Sequence, residues 1–209
     1  MDLDTAVQIC VVARAFGISP IVRVPAFQSF HATRVLDGGA QGIVFPHVDD
    51  AETATQLVDF CRYPPNGRRS ITGTLPQIDF ASIPIDQAAP AINDATLLVF
   101  MLESPKAISN VDAIAAVTGV DALLIGTSDL TMEMGIPGQL EHPDVIAAYE
   151  AMLAACKKHN KHPGMGGIYQ PDLLQKYIGM GVKLILAGSD LSLLMSAGKA
   201  RVADIRAAQ

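Results

Sequence analysis

Short apolar runs alternate with longer amphipathic stretches along the whole chain. Except for a glycine-rich fifth run, the runs are continuously hydrophobic, which is typical of strands buried on both faces in a parallel sheet. The predicted strands cover residues 20–24, 42–46, 97–102, 121–126, 162–166 and 183–188. Because a longer stretch with helical periodicity follows each run, the pattern predicts an α/β protein built from strand–helix units.

The amphipathic stretches carry helix start signals. Ser104 is an N-cap residue and Pro105 occupies the first helical position, so a helix is predicted from there to about Val117. A longer connection, residues 62–95, contains turn residues and a short predicted helix over residues 86–92, and the sequence leaves open whether it is a lid or a partner contact. The other predicted helices span residues 3–16 and 50–60, or begin at Pro143, Pro171 and Asp190.

Chain length leaves two arrangements of these units open. A (β/α)8 barrel uses about 250 residues, or roughly 31 per unit, so 209 residues correspond to between six and seven units. A barrel that begins with the helix of residues 3–16 lacks its first helix and its first two strands. An open, doubly wound sheet of six strands fits the length without any missing part.

Composition narrows the possible functions. The chain has 21 acidic residues against 15 Lys and Arg and no basic run, which argues against a nucleic-acid or membrane partner. No apolar run approaches the roughly 18 residues of a membrane span, and the acidic N-terminus is unlike a signal peptide. Three widely spaced cysteines (Cys10, Cys61 and Cys156), each among apolar residues, favour a reducing compartment. We expect a cytoplasmic protein whose cysteines are buried.

Two acidic residues follow neighbouring predicted strands. Glu103 and Asp129 are 26 residues apart, about one strand–helix unit, so we expect them at equivalent heights on adjacent strands. Such strands lie about 4.8 Å apart, a separation at which two carboxylates can share a hard cation such as Mg²⁺. The alternative is that Glu103 only precedes a helix N-terminus and interacts with its dipole.

Arg23 stands inside an otherwise apolar strand. A buried arginine there needs an anionic partner, which is either a substrate carboxylate bound through two hydrogen bonds or a structural carboxylate of the protein. The backbone N–H groups of the turn before Asp129 offer further donors to such an anion. That turn consists of Gly126, Thr127 and Ser128.

Other polar residues carry weaker signals. Asp37 precedes two glycines, and its position alone suggests a turn residue. His31 and His47 have no partner at ligand spacing, so we interpret both as structural.

Several segments, in order from Leu3 to the last helix, resemble those of one family. They are residues 23–25 (RVP), 36–46 (LDGGAQGIVFP), 61–69 (CRYPPNGRR), 102–105 (LESP), 119–130 (GVDALLIGTSDL) and 134–139 (MGIPGQ), with His142-Pro143 beyond. Together they resemble the HpcH/HpaI aldolases, which are class II pyruvate aldolases. The resemblance implies a single (β/α)8 (TIM) barrel domain of the phosphoenolpyruvate/pyruvate type over residues 1–209, lacking about two strands, and disfavours the doubly wound sheet.

The resemblance also implies a reaction, the reversible cleavage of 4-hydroxy-2-oxo acids to pyruvate and an aldehyde. Glu103 and Asp129 match the ligands of Mg²⁺, Mn²⁺ or Co²⁺, which stabilises the pyruvate enolate as a Lewis acid. Arg23 matches an arginine that stabilises the developing oxyanion, and residues 126–128 match the seat of the pyruvate carboxylate. Asp37 matches an aspartate that pairs with a catalytic histidine at a subunit interface.

The resemblance also implies an oligomeric assembly, and the sequence departs from the family pattern at two points. Family members form dimers built into hexamers with exchanged C-terminal helices, so we expect a homo-oligomer. The family's histidine base belongs to a segment before the one that matches residues 3–16, and Met101 stands where members often have Gln. Two alternatives therefore stay open: a remnant that binds metal and 2-oxo acids, with decarboxylation at most, and a citrate-lyase-like enzyme acting on acyl-CoA. The sequence chooses neither the aldehyde nor the metal.

Overall fold

The computed structural model describes residues 1–25 and 27–208. Within them the chain forms ten α-helices and six β-strands. The strands are β1 (Ile21–Arg23), β2 (Gly42–Phe45), β3 (Leu97–Leu102), β4 (Ala122–Gly126), β5 (His162–Gly166) and β6 (Leu184–Ile185). The helices are α1 (Leu3–Ala15), α2 (Ser29–Asp37), α3 (Ala51–Cys61), α4 (Ile85–Ala95), α5 (Pro105–Ser109), α6 (Val111–Ala116), α7 (Thr127–Glu133), α8 (Pro143–His159), α9 (Pro171–Met180) and α10 (Asp190–Ala207).

The strands form one parallel sheet whose spatial order follows the chain, from β1 to β6. A doubly wound sheet reverses its strand order at one point, and no reversal occurs between β1 and β6, so the doubly wound alternative is wrong. The α/β class predicted from the sequence is confirmed. The sheet curls as in half of a barrel, and its inner face is the one that a barrel would enclose.

The central strands β2, β3 and β4 are buried on both faces, which explains their continuous apolar runs. On the outer face, alternate residues such as Phe45, Phe100 and Ile125 pack into the main core with the helices. The intervening residues form a smaller cluster on the inner face, made of Val44, Val99, Met101, Ala122 and Leu124. Because successive strand residues point to opposite faces, burial of both faces makes every position apolar.

The long connection between α3 and β3 is anchored at the amino ends of the strands. The Arg62 guanidinium is buried and donates to the backbone carbonyls of Asn93 and Thr96, just before β3. It also donates to the Gly119 carbonyl and to the Asp121 carboxylate, 2.6 Å away, just before β4. Both ends of the connection are therefore fixed at the amino ends of the strands.

The largest differences from the sequence prediction lie in three segments. The helix predicted over residues 104–117 is divided into α5 and α6 at Asn110, whose side-chain amide donates to the Asp49 carbonyl. Residues 127–133 form a helix, α7, that was not predicted, and β6 is shorter than the run of residues 183–188.

Two expectations from composition can be compared with the fold. All three cysteines are free and buried, as predicted. Among the described residues, no helix combines the length and the apolar character needed to cross a membrane.

Candidate functional site

Glu103 and Asp129 meet at the carboxyl ends of β3 and β4. The register pairs Leu102 with Ile125, so the residue level with Glu103 is Gly126. Asp129 lies three residues further on, in the first turn of α7. The expectation of equal heights on two strands is therefore wrong, yet the helical turn still brings the two carboxylates close enough to interact.

The Glu103 carboxylate is buried, with 2% of the residue exposed. Its Oε2 accepts a hydrogen bond of 2.8 Å from the His47 backbone N–H, and its Oε1 lies where a Cβ on Gly126 would approach to 2.5 Å. Burial raises the pKa of Glu103 and the Asp129 carboxylate raises it further, whereas the His47 N–H lowers it. Two carboxylates held this closely repel each other unless a proton or a cation lies between them.

His47 is a residue of this site that the sequence analysis missed. Its backbone φ of 52° lies in the left-handed region, which is costly for a residue with a Cβ. Its ring Nδ1 is 3.3 Å from Glu103 Oε2, and its side chain is 57% exposed. The sequence analysis found no partner for His47 at ligand spacing, whereas the fold brings it to Glu103, 56 residues further along the chain and directly after the neighbouring strand β3. Its place directly beyond a predicted strand was the available signal.

The loop after β2 is tied to the start of α5. The Ser104 hydroxyl donates to the Asp49 carboxylate and also caps α5 by accepting from the Ala107 N–H. Because Ser104 directly follows Glu103 and Asp49 lies two residues after His47, this contact holds His47 against Glu103.

The junction between β4 and α7, where Gly126 is followed directly by Thr127, offers backbone donors. The Thr127 side chain is fully buried, and its hydroxyl bonds to the Tyr149 hydroxyl at 2.7 Å and to the Gly166 carbonyl at 2.8 Å. That hydroxyl is therefore committed to the fold. The first N–H groups of a helix have no intrahelical acceptor, which leaves the amides near Gly126 and Ser128 for the predicted anion.

Arg23 lies on the inner face of β1, which β2 separates from the strand that leads to Glu103. Val22 and Val24 pack against the outer core, so Arg23 points to the opposite face. The residue is exposed on an edge strand, and the expectation of a buried arginine is wrong. Among residues 1–25 and 27–208, no carboxylate lies within 4.0 Å of its guanidinium, so the structural ion pair that we kept as an alternative is not formed.

Asp37 is not part of this cluster within one chain. It ends α2, which runs back from the carboxyl end of β1 toward the amino end of β2. Asp37 therefore lies at the amino ends of the strands, whereas Glu103 lies at their carboxyl ends. Its carboxylate accepts a hydrogen bond of 2.7 Å from Arg69, whose guanidinium stacks 4.5 Å above the Tyr63 ring. The interpretation as a simple turn residue missed this ion pair.

The acidic pair fits a hard cation. In the part of the chain that the structure describes, no three His, Cys, Asp or Glu side chains are grouped to hold a metal ion. Glu103 and Asp129 nevertheless supply the hard oxygen ligands that Mg²⁺-type ions use together with water and substrate oxygens. Glu103 packs against Gly126, where a Cβ would displace its carboxylate, so the glycine allows Glu103 to take this position beside Asp129.

Comparison with known proteins agrees with the resemblance noted in the motifs. The family model described as HpcH/HpaI aldolase/citrate lyase matches residues 1–197. A 4-hydroxy-4-methyl-2-oxoglutarate aldolase of Hapsidospora irregularis is 42% identical over 182 residues, covering 85% of this chain and 67% of that protein. A hydroxypyruvate/pyruvate aldolase of Roseobacter denitrificans is 35% identical over 183 residues, covering 86% of this chain and 70% of that protein. The crystal structure of an HpcH/HpaI aldolase from Desulfitobacterium hafniense matches with a TM-score of 0.92 at 30% identity, covering 99% of this chain and 79% of that one.

Proposed function

The chain belongs to the HpcH/HpaI aldolase/citrate lyase family, whose relatives matched here are carbon–carbon lyases, and we propose that it cleaves 4-hydroxy-2-oxo acids reversibly to pyruvate and an aldehyde. The observation that carries this proposal is the buried Glu103 carboxylate held beside Asp129. Glu103 and Asp129 would hold a divalent cation (Mg²⁺, Mn²⁺ or Co²⁺), which would act as a Lewis acid toward the enolate form of pyruvate.

The chain's own residues position the pyruvate half of the substrate. The backbone amides of residues 126–128 bind the substrate carboxylate, because they stand at the start of α7, where N–H groups have no intrahelical acceptor. They are close to the acidic pair, since Glu103 packs against Gly126. Arg23 projects from the same inner face and binds the oxygen on which negative charge develops. Its exposure leaves the guanidinium free to meet a ligand.

The proposal includes a homo-oligomer, in which a second copy of the chain covers helix α10. Helix α10 spans residues 190–207, and none of them is buried although Leu191, Leu194 and Ile205 are large and apolar. Covering this helix with another subunit removes that apolar surface from water. Asp37 takes part in catalysis only in such an assembly, since within one chain it lies away from Glu103.

Pyruvate release tests the proposal directly. We expect the purified chain to release pyruvate from 4-hydroxy-4-methyl-2-oxoglutarate with Mn²⁺, to lose this activity in EDTA, and to lose it in Glu103→Ala. Glu133→Ala is the matched control, because Glu133 is an exposed carboxylate on the same helix as Asp129.

Other results identify the alternatives. Mn²⁺ binding without turnover indicates the remnant that only binds metal and 2-oxo acids. Turnover of an acyl-CoA substrate instead indicates a citrate-lyase-like enzyme, and turnover that resists EDTA contradicts the metal mechanism.

A further inference from the structure

Tyr149 is a fully buried residue of α8 that the proposed cleavage leaves without a role. Its hydroxyl lies 2.7 Å from Thr127 Oγ1. Thr127 is the first residue of α7, the helix whose first turn brings Asp129 beside Glu103. Burying a hydroxyl costs free energy unless it is hydrogen-bonded, and phenylalanine would fill the same space without that cost. The contact with Thr127 is therefore what the tyrosine hydroxyl adds.

The direction of the hydrogen bonds around Thr127 follows from their partners. Thr127 Oγ1 also lies 2.8 Å from the Gly166 carbonyl oxygen, which can only accept. The single hydroxyl proton of Thr127 is therefore donated to Gly166, and Tyr149 donates its own proton to Thr127. These two bonds join α8, the start of α7 and the carboxyl end of β5.

The start of α7 fits closely between its neighbours. Before Thr127, Glu103 packs against Gly126, where a Cβ would lie 2.5 Å from its Oε1. After Thr127, a Cβ on Gly167 would lie 2.8 Å from Ser128 Oγ. Because the chain is in close contact on both sides of Thr127, a small shift of this residue changes how the first turn of α7 lies against the Glu103 carboxylate.

We propose that Tyr149 is a positioning residue of the cation site, which acts through Thr127 by fixing the turn that carries Asp129. This inference rests on the proposed function, because it assumes that Glu103 and Asp129 hold the cation together. It gives a buried residue of α8 a part in metal affinity, although its hydroxyl bonds to Thr127 and not to either carboxylate.

The neighbouring Tyr177 provides a matched control. Its ring stacks on that of Tyr149 with centroids 4.3 Å apart, and it is also fully buried. Its hydroxyl donates to the carbonyl of Leu140, in the connection between α7 and α8. Tyr149→Phe and Tyr177→Phe each remove one buried hydroxyl and keep the stacked rings, so both should lower stability to a similar extent. Only the first removes the bond to Thr127.

Titration of free Mn²⁺ by electron paramagnetic resonance measures the affinity of the folded protein. We expect Tyr149→Phe to bind Mn²⁺ about fivefold more weakly than the natural chain, as the loss of one hydrogen bond allows, and Tyr177→Phe to stay within about twofold. Thr127→Val should weaken binding at least as much, and adding Tyr149→Phe to it should cause no further loss, because the two residues act as a unit. Thr127→Ser keeps the hydroxyl and should keep the affinity.

Amide hydrogen exchange in EDTA tests the same turn without a metal. In an α-helix the N–H groups of residues 131–133 bond to the carbonyls of residues 127–129, so these N–H groups exchange when the first turn opens. We expect their exchange to be about fivefold faster in Tyr149→Phe than in the natural chain. In Tyr177→Phe we expect it to be unchanged.

The other outcomes overturn the inference. It fails if Tyr149→Phe binds Mn²⁺ as tightly as the natural chain, or if Tyr177→Phe weakens binding by the same factor, because the loss then follows from stability. It also fails if the effects of Tyr149→Phe and Thr127→Val add in full. Weaker Mn²⁺ binding in Tyr149→Phe alone, in a protein that releases no pyruvate, supports Tyr149 and contradicts only the proposed cleavage. If the natural chain binds no Mn²⁺, the proposed cation site fails, whereas amide exchange still decides whether Tyr149 fixes the turn.

Discussion

Replacing Gly126 with alanine tests how the buried Glu103 carboxylate is positioned. An ideal Cβ at this residue would lie 2.5 Å from Oε1, 2.7 Å from Cγ and 3.0 Å from Cδ of Glu103. The backbone φ of Gly126 is −82°, which alanine adopts without strain. Any effect of the substitution therefore arises from this contact.

The contact gives the size of the effect. An ordinary separation between these atoms is about 3.5 Å, so Glu103 has to move by about 1 Å. Because the residue is 2% exposed and bonded to the His47 N–H, the movement weakens that bond or presses the carboxylate toward Asp129. We expect Mn²⁺ affinity to fall by at least about tenfold and the free energy of unfolding to fall by about 1–3 kcal/mol.

Titration of free Mn²⁺ by electron paramagnetic resonance measures the affinity, and denaturant unfolding in EDTA measures the stability. Gly179→Ala in α9 is the control, because a Cβ there would meet nothing within 4 Å. We expect it to keep the Mn²⁺ affinity and to raise stability by up to about 1 kcal/mol. If Gly126→Ala binds Mn²⁺ as tightly as the natural chain, Gly126 does not define the position of Glu103, and the reasoning is refuted.

Three further predictions follow from buried groups. The pKa of Glu103 is raised in the native state by burial and by Asp129, so the native state holds this proton more tightly than the unfolded chain does. The metal-free protein therefore loses stability as pH rises from the ordinary glutamate pKa through the native one. Glu103→Gln should be more stable than the natural chain at pH 7 and should lose this advantage below pH 4.5, as urea unfolding in EDTA would show. Arg62→Ala should lower the free energy of unfolding by about 3–5 kcal/mol, whereas Arg68→Ala, at an exposed residue, should change it far less. Equal losses would contradict the role of the buried network. Burial raises the pKa of Cys61 to about 12 and of Cys156 to about 11, so a disulfide reagent at pH 8 should modify these thiols only after guanidinium is added, and fast modification of the folded protein would show that they are accessible.

The strands were predictable because burial on both faces leaves a strong local pattern. The third and fifth predicted runs coincide with β3 and β5, and the other four contain shorter strands. At the edge of the sheet, β6 pairs with β5 alone over two residues, so its apolar run overestimates the strand. Helix α7 was not predicted because Thr127 and Ser128 favour caps and turns, whereas a tertiary contact of Thr127 with Tyr149 fixes the helix start.

The sequence predicted which residues form the candidate site better than it predicted how they are arranged. Spacing predicted that Glu103 and Asp129 act together, although Asp129 reaches Glu103 from a helical turn. Nothing local predicts a left-handed conformation for His47, because the conformation depends on the carboxylate that its N–H meets. Asp37 shows the same limit, since its partner Arg69 follows it by 32 residues.

The acidic pair is evidence for binding because it is a poor means of stabilising the fold. A carboxylate that is buried beside a second one has its pKa raised, which means that the protein holds its charge at a cost in stability. A glutamine at residue 103 would accept the same His47 N–H bond without that cost. Gly126 leaves the space that Glu103 occupies, and Asp49 and Ser104 fix the loop that bonds to it. Several residues therefore maintain a charge that the metal-free fold does not need, and this supports the proposed cation site between Glu103 and Asp129.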